Sequence, residues 1–465
     1  LQALQAQALS TTVPAKSVLR DTVRGECPEF RYVFHTFFPK PKLLVLSAVV
    51  WTALVITFWY AYWKGLGSYY GMPPMDEDAK PVGLSYFITP DARWFYSYFI
   101  ATLVLFCAFW QFYGRDCVWR GWSLWGSAFI LIVTNFGVDV SLALNRWRGP
   151  FYDLIQKALS KPGESTVPVW DIYNLLSSFF QIATVYVFMF VVLRYFVSHY
   201  VFRWRTAMSN YYLEMWPRLR HIEGASQRVQ EDTRDFATYL EDLGVSFVTA
   251  FMTLVAFLPV LYQLEKYVNE LPVLGAVPHP LIFAAIFWSA FGTVLLWLFG
   301  IRLPGLEFKN QRVEAAFRKE LVYGEDQHDR AHPVTVMELY ENVRRNYFRL
   351  YFNYLYFNVA RGFYGQTDVI FATFILIPSI SAAAFGFGVW QQISNAFSEV
   401  SNSFQYLVNS WNDIIKLISI QKRLKAFEAQ IHNEPLPTID QRFIEAQEAD
   451  INPDAPPASD GASSF

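Results

Sequence analysis

This chain of 465 residues has no nucleotide-gripping motif, only three cysteines and a formal net charge of −2. A phosphate cradle needs G-x-x-x-x-G-K-[ST] opening a helix, and that pattern occurs nowhere. H-E-x-x-H and G-x-S-x-G are missing too, which removes the commonest zinc-hydrolase and nucleophile-elbow chemistries. Cys27, Cys107 and Cys117 fit no disulfide framework, metal set or redox spacing. His221 and Glu223 are two residues apart, so on a helix they point to different faces and form no metal pair. Near-neutral charge argues against a nucleic-acid partner, whose surfaces are normally strongly basic. We therefore expect no enzyme, no metal and no cofactor.

What the chain has is apolar length. Its residues are 53% hydrophobic and 18% aromatic, yet mean hydropathy is only +0.19, so a large part is wet. A nearly uncharged run of about 20 residues crosses the hydrocarbon core as a helix. Eight spans are predicted: Leu43–Tyr62, Trp94–Tyr113, Trp122–Leu144, Ile172–Phe202, Val245–Tyr262, Leu281–Leu303, Phe363–Phe385 and Phe387–Leu417. The third is expected to end at NRWRGP, and Pro259 to kink or end the fifth. Polar helical stretches at 203–242 and 304–350 separate the later spans, the second with a turn near GEDQHDRAHP. The expected fold is all-α, a polytopic membrane protein lying in a lipid bilayer.

Three regions are expected. Residues 1–33 begin without Met, lack a signal-like apolar core and read as a disordered N-terminal extension. Residues 34–430 form the transmembrane domain with its long helical extensions, and 431–465 a disordered tail. Residues 418–465 are too few for an ATPase domain. Both polar stretches are rich in Lys and Arg, whereas 263–280 holds only Lys266. The positive-inside bias therefore makes both stretches cytoplasmic, and an even number of spans puts both termini inside. The loop at 145–168 runs against this bias, with Arg146, Arg148, Lys157 and Lys161.

Acidic residues are the candidate working groups. Glu307, Glu314 and Glu325 are 7 and 11 residues apart, so at about 100° per residue they share one face if the helix stays regular to Gly324. Glu223 and Glu241, 18 apart, share another face, with Glu231 roughly 80° away. Asp139, Asp368 and Glu399 sit within predicted spans, where ionisable groups are costly and face a cavity or a partner. A partly desolvated carboxylate exchanges protons nearer neutral pH. The blander reading makes the cytoplasmic glutamates a solvated, Arg-paired face and the buried aspartates packing pins. Aromatics crowd 347–364; Tyr347, Tyr351, Tyr354 and Tyr356 form either an interfacial elbow or a cavity wall where proline and arginine side chains stack.

Several runs carry a resemblance: FFPKPKLLVLSAVVW at 37–51, GPFYDLIQKALS at 149–160, FVSHYVFRWRTAM at 196–208, LRHIEGASQRVQEDT at 219–233, LPGLEFKNQRVEAAFRKELVYGED at 303–326, NYFRLYFNYLYFNVAR at 346–361 and FQYLVNSW at 404–411. Together, over roughly 34–430, they resemble the SbmA/BacA family of bacterial inner-membrane peptide transporters. The resemblance implies a homodimer with the fold of an ABC exporter's membrane domain, lacking a nucleotide-binding domain. It also implies proton-driven uptake of proline-rich cationic antimicrobial peptides and related bulky peptide antibiotics. Glu223, Glu307 and Glu314 lie in matched motifs, and the resemblance makes them coupling residues. Lys416 stands where the family commonly has Glu, Glu399 for Gln, Ser401 for Arg, Asn353 for His and Gly365 for a larger apolar residue. These departures bear on substrate range and coupling rather than on fold. RWRTAM…QRVQED also resembles the membrane domain of ABC-type long-chain acyl exporters. That keeps two alternatives open: a membrane subunit served by a separate ATPase chain, moving peptides or very-long-chain acyl groups, and a non-transporting scaffold for envelope lipid modification.

Overall fold

The computed structural model describes residues 33–431 apart from 76–79, 116, 161–166, 221–224, 269, 273–274, 276 and 327–330. The expected terminal extensions fall almost wholly outside these residues, as do His221 and Glu223. Ten helices carry the architecture: α1 (Pro41–Phe58), α2 (Pro90–Tyr113), α3 (Arg120–Leu159), α4 (Val169–Glu214), α5 (Thr233–Leu264), α6 (Pro280–Gly300), α7 (Leu303–Asp326), α8 (Pro333–Ser381), α9 (Phe387–Phe404) and α10 (Trp411–Ile431). Among the described residues no strand forms; the one β contact is an isolated bridge between Leu271 and Gly275. The chain is therefore an all-α, multi-pass protein.

Local chemistry sets many of the starts. Proline occupies the first turn of α1, α2, α6 and α8, where its missing N–H is one the helix would leave unpaired anyway. Thr89 caps α2 by accepting from the Ala92 N–H at 3.3 Å. The helices then run far beyond a bilayer's hydrocarbon core of about 30 Å. α3 has 40 residues, α4 46 and α8 49, or about 60–74 Å at 1.5 Å per residue. Their polar ends must project from the membrane.

Several expectations need correction. Among the described residues seven helices, against the eight expected, are long and apolar enough to cross a membrane. The predicted eighth span, Phe387–Leu417, is broken into α9, a short helix at Tyr406–Asn409, and α10. α9 has 18 residues, so it spans about 27 Å. It need not be apolar, because protein surrounds it. Its first N–H groups are capped by α3, with Asp153 Oδ1 2.7 Å from Gly388 N and Gln156 Oε1 2.8 Å from Phe387 N. Further along, Gln392 donates to the Arg146 carbonyl at 3.2 Å and Asn395 to Asn145 Oδ1 at 3.1 Å. Glycine permits this closeness: a Cβ on Gly388 would stand 2.1 Å from the Gly149 carbonyl oxygen.

NRWRGP does not end α3, which continues to Leu159, so the cationic 145–159 stretch is helix rather than loop. α5 runs through Pro259 to Leu264. The stretch 203–242 is not one helix. α4 stops at Glu214, a four-residue helix follows at Trp216–Leu219, and the chain turns helical again at Ala225 with a π turn over Arg228–Asp232. The expected shared face of Glu223 and Glu241 involves a residue, Glu223, that lies outside the described residues. α8 is continuous through 347–364, with no elbow there.

Two cores hold the bundle. One joins α5, α6, α8 and α9 around Phe257, Leu281, Leu376 and Phe397. The other sits at the Lys/Arg-rich end, where α4, α5 and α10 meet around Tyr212, Met208, Phe236 and Leu424. α10 packs on both α5 and α7, and so links the two acid-bearing helices.

Candidate functional site

At membrane depth Asp139 and Asp368 are hydrogen-bonded to neighbouring helices. Asp139 on α3 accepts from the Tyr96 hydroxyl of α2, and from Asn135 Nδ2 at 3.5 Å. Asp368 on α8 accepts from Trp288 Nε1 of α6 at 2.6 Å and from Ser401 Oγ of α9 at 3.3 Å. Around it Gln405 donates to Ser401 Oγ at 2.8 Å and to Tyr364 Oη at 2.5 Å. Trp288 also stacks on Phe371 at 4.0 Å and on Tyr364 at 5.1 Å. Gly292 makes room for that tyrosine, since a Cβ there would meet its ring at 2.2 Å. Asp368 thus ties three helices together. Glu399 on α9 interacts electrostatically with Arg148 of α3.

At the Lys/Arg-rich end the glutamates are differently placed. α7 is one helix from Leu303 to Asp326, so the regularity needed for the Glu307–Glu314–Glu325 stripe holds. Gln311 lies four residues after Glu307 and three before Glu314, on the same face, and it accepts from Ser419 Oγ of α10 at 3.2 Å. The acidic face of α7 is therefore turned toward α10. Glu307 and Lys416 both act electrostatically on Tyr354 of α8, so α7, α8 and α10 converge there. Lys416 also bridges Asp413 at 3.2 Å. Glu307 and Glu314 are half-buried and Glu325 is exposed. Among the described residues no salt bridge reaches Glu241, Glu307 or Glu314.

Glu241 lies one turn before the apolar stretch that opens at Val245. Burial pushes its carboxyl up to about 7; neighbouring Asp242 adds to the rise, and Arg194 of α4 opposes it. Glu231 is half-buried and accepts from Gln227 Nε2 at 3.0 Å. The four tyrosines do not converge within one chain. Tyr354 faces Glu307, Tyr347 sits 5.5 Å from Tyr351 ring to ring, and Tyr351 and Tyr356 are exposed on the outer surface of α8.

The sequence reading missed the most buried carboxylates. Asp232, 1% exposed, takes Arg423 of α10 bidentately at 2.7 and 3.2 Å and Arg228 at 2.8 Å. Nearby, Tyr212 of α4 donates to Glu428 of α10 at 3.1 Å, with Glu428 3% exposed. These contacts clamp α10 onto the break between α4 and α5. The Arg228–Asp232 spacing of four was a usable signal, but the cation that matters most comes from 191 residues away.

The SbmA/BacA-like family model matches residues 116–432. The chain is 21% identical over 324 residues to the Escherichia coli inner membrane ABC transporter ATP-binding protein YddA, covering 64% of this chain and 55% of that protein. An uncharacterised ABC transporter ATP-binding protein of Synechocystis is 21% identical over 326 residues, covering 66% and 46%. The chloroplastic ABC transporter D family member 2 of Arabidopsis thaliana is 22% identical over 263 residues, covering 51% and 35%. The chain spans about half the length, or less, of these curated relatives.

Proposed function

We propose that this chain, which belongs to the SbmA/BacA-like family, is a bacterial inner-membrane transporter that imports cationic, proline-rich antimicrobial peptides and related bulky peptide antibiotics by proton coupling. Two copies enclose the pathway, and both polar helical ends face the cytoplasm. The chain acts as a transporter rather than an enzyme.

The observation that carries this reading is the acidic face of α7. Glu307 and Glu314 are half-buried, point toward α10, and have no salt-bridge partner among the described residues. Carboxylates so placed attract a cationic peptide when ionised and release it when protonated. Proton binding then shifts the balance between two conformations, provided the two hold the proton with different affinity. Glu241 belongs to the same circuit, because α10 packs on both α5 and α7. Asp139 and Asp368, each hydrogen-bonded across helices, hold the bundle together in this reading.

The test is uptake of a fluorescent proline-rich cationic peptide into proteoliposomes of the purified protein, without ATP, with and without an inward proton gradient. Gradient-dependent uptake that an uncoupler abolishes is expected. The double substitution Glu307→Gln, Glu314→Gln should cut uptake by at least about tenfold and flatten its pH dependence, in keeping with the usual size of a lost proton-transfer group. Unchanged uptake and pH profile in that variant would remove the α7 face from the mechanism. Uptake that requires ATP and a co-purifying ATPase would replace the proton-coupled reading with an ATP-driven one.

A further inference from the structure

α7 has a second face, and its chemistry is opposite. Between α7 and α8 lies a cavity of about 310 Å3 lined by Lys309, Asn342, Arg345, Asn346 and Arg349. That size falls at the lower end of small-ligand sites, about 300–1,000 Å3. The transport reading has no use for it, because three cations repel a cationic peptide.

The hairpin's register orders these groups. Asn346 donates to the Leu306 carbonyl at 3.4 Å and to Asn310 Oδ1 at 3.2 Å, so α8 around 346 lies beside α7 around 306–310. Lys309 and Arg349 therefore sit at the end nearer the membrane, while Ala316 and Leu339 close the far end. Just beyond Arg349, α8 exposes Tyr351, Phe352, Leu355 and Tyr356, an aromatic-apolar belt of the kind that lies at the lipid interface.

Its charge is weakly answered. Arg345 shares Glu341 with Arg344, and among the described residues no salt bridge reaches Lys309 or Arg349. Asn346 is only 5% exposed, yet its Oδ1 has no hydrogen-bond partner. A buried acceptor left unpaired is costly and calls for a donor. The required ligand is thus anionic, to meet the cations, and carries a hydroxyl, to meet Asn346.

We propose that this cavity binds the headgroup of an anionic phospholipid with a free hydroxyl, of the phosphatidylglycerol type, from the leaflet on the Lys/Arg-rich side. The phosphate lies among Lys309, Arg345 and Arg349, and a glycerol hydroxyl donates to Asn346 Oδ1. Basic pockets between helices at this depth commonly hold such lipids. The proposal rests on the chain lying in a bilayer and is independent of what it transports.

Native mass spectrometry of the purified full chain, titrated with phosphatidylglycerol, phosphatidylmethanol and phosphatidylcholine, reads retention directly. The wild type should hold phosphatidylglycerol best and phosphatidylcholine least. The triple variant Lys309→Gln, Arg345→Gln, Arg349→Gln should lower phosphatidylglycerol retention on the order of a hundredfold, about fivefold per cation. All three side chains are exposed, so the fold should survive, and thermal unfolding checks this. Asn346→Leu should reduce phosphatidylglycerol to the level of phosphatidylmethanol, which has the charge but no headgroup hydroxyl. The control Arg318→Gln, Lys319→Gln, farther along α7, should leave retention unchanged. Equal retention by the folded triple variant, or an equal loss in the control, would overturn the site. So would stabilisation by inorganic phosphate in millimolar excess that the triple variant loses while phosphatidylglycerol is held no better than phosphatidylcholine, since the occupant would then be a soluble anion.

Discussion

Asp139 and Asp368 at membrane depth and Glu241, Glu307 and Glu314 at the Lys/Arg-rich end differ in one respect: how many donors they have. Asp139 has Tyr96 and Asn135, and Asp368 has Trp288 and Ser401, so each joins neighbouring helices. Glu241, Glu307 and Glu314 are half-buried without a salt bridge among the described residues. A carboxylate surrounded by donors is held in one state and contributes shape. In the proposed mechanism the lightly partnered set is the one that meets the cationic substrate. Asp232 shows that position along the membrane normal is not the deciding factor: it belongs to the cytoplasmic-type set by sequence, yet two arginines lock it.

The largest expected effect tests that lock. Arg423→Ala leaves Asp232 buried with Arg228 alone, and should cost about 3–5 kcal/mol, as for other broken buried pairs. Thermal unfolding in detergent measures it, and the drop should be largely rescued by Asp232→Leu combined with Arg423→Met. If Arg423→Ala unfolds at the wild-type temperature, the clamp is not what holds α10.

A smaller loss is expected from Asp368→Leu, which strands the Trp288 N–H and the Ser401 hydroxyl. About 1–3 kcal/mol should go, by the usual cost of an unsatisfied buried donor. The comparison predicts that the pH profile of uptake keeps its shape in this variant. A flattened profile would move Asp368 into the titrating set and break the distinction.

The most delicate effect belongs to Glu241. Its folded-state carboxyl sits above the ordinary value of 4.5, at about 7, so the native state holds more protons than the unfolded chain between those limits. Its contribution to stability is therefore fully present below pH 4.5 and is lost as pH rises through about 7. Glu241→Gln should flatten the dependence of unfolding temperature on pH across that window, most visibly at its upper end. An unchanged slope would mean that Glu241 is solvated like an ordinary surface acid.

Much of the architecture was legible because bilayer crossing writes itself into sequence: an apolar run must last about 20 residues, whatever it packs against. Seven helices were found that way. The eighth predicted span was over-read because α9 is shorter and surrounded by protein, so its Gln392, Asn395 and Ser401 bond to neighbours instead of facing lipid. The break within 203–242 was hidden because Trp216-Pro217 sits in otherwise helix-compatible sequence. The acidic face of α7 was readable from spacing alone, since one regular helix fixes it.

The sequence by itself settled the all-α membrane class, most of the span positions and which helix carries the acid stripe, because each depends on local periodicity or on composition over a few turns. Only the tertiary structure decided which carboxylates are locked. Trp288 reaches Asp368 across 80 positions and Arg423 reaches Asp232 across 191, and no local rule encodes a partner so far away. Whether an acid holds a fold together or is left able to exchange a proton depends on donors brought from elsewhere in the chain, and so on packing.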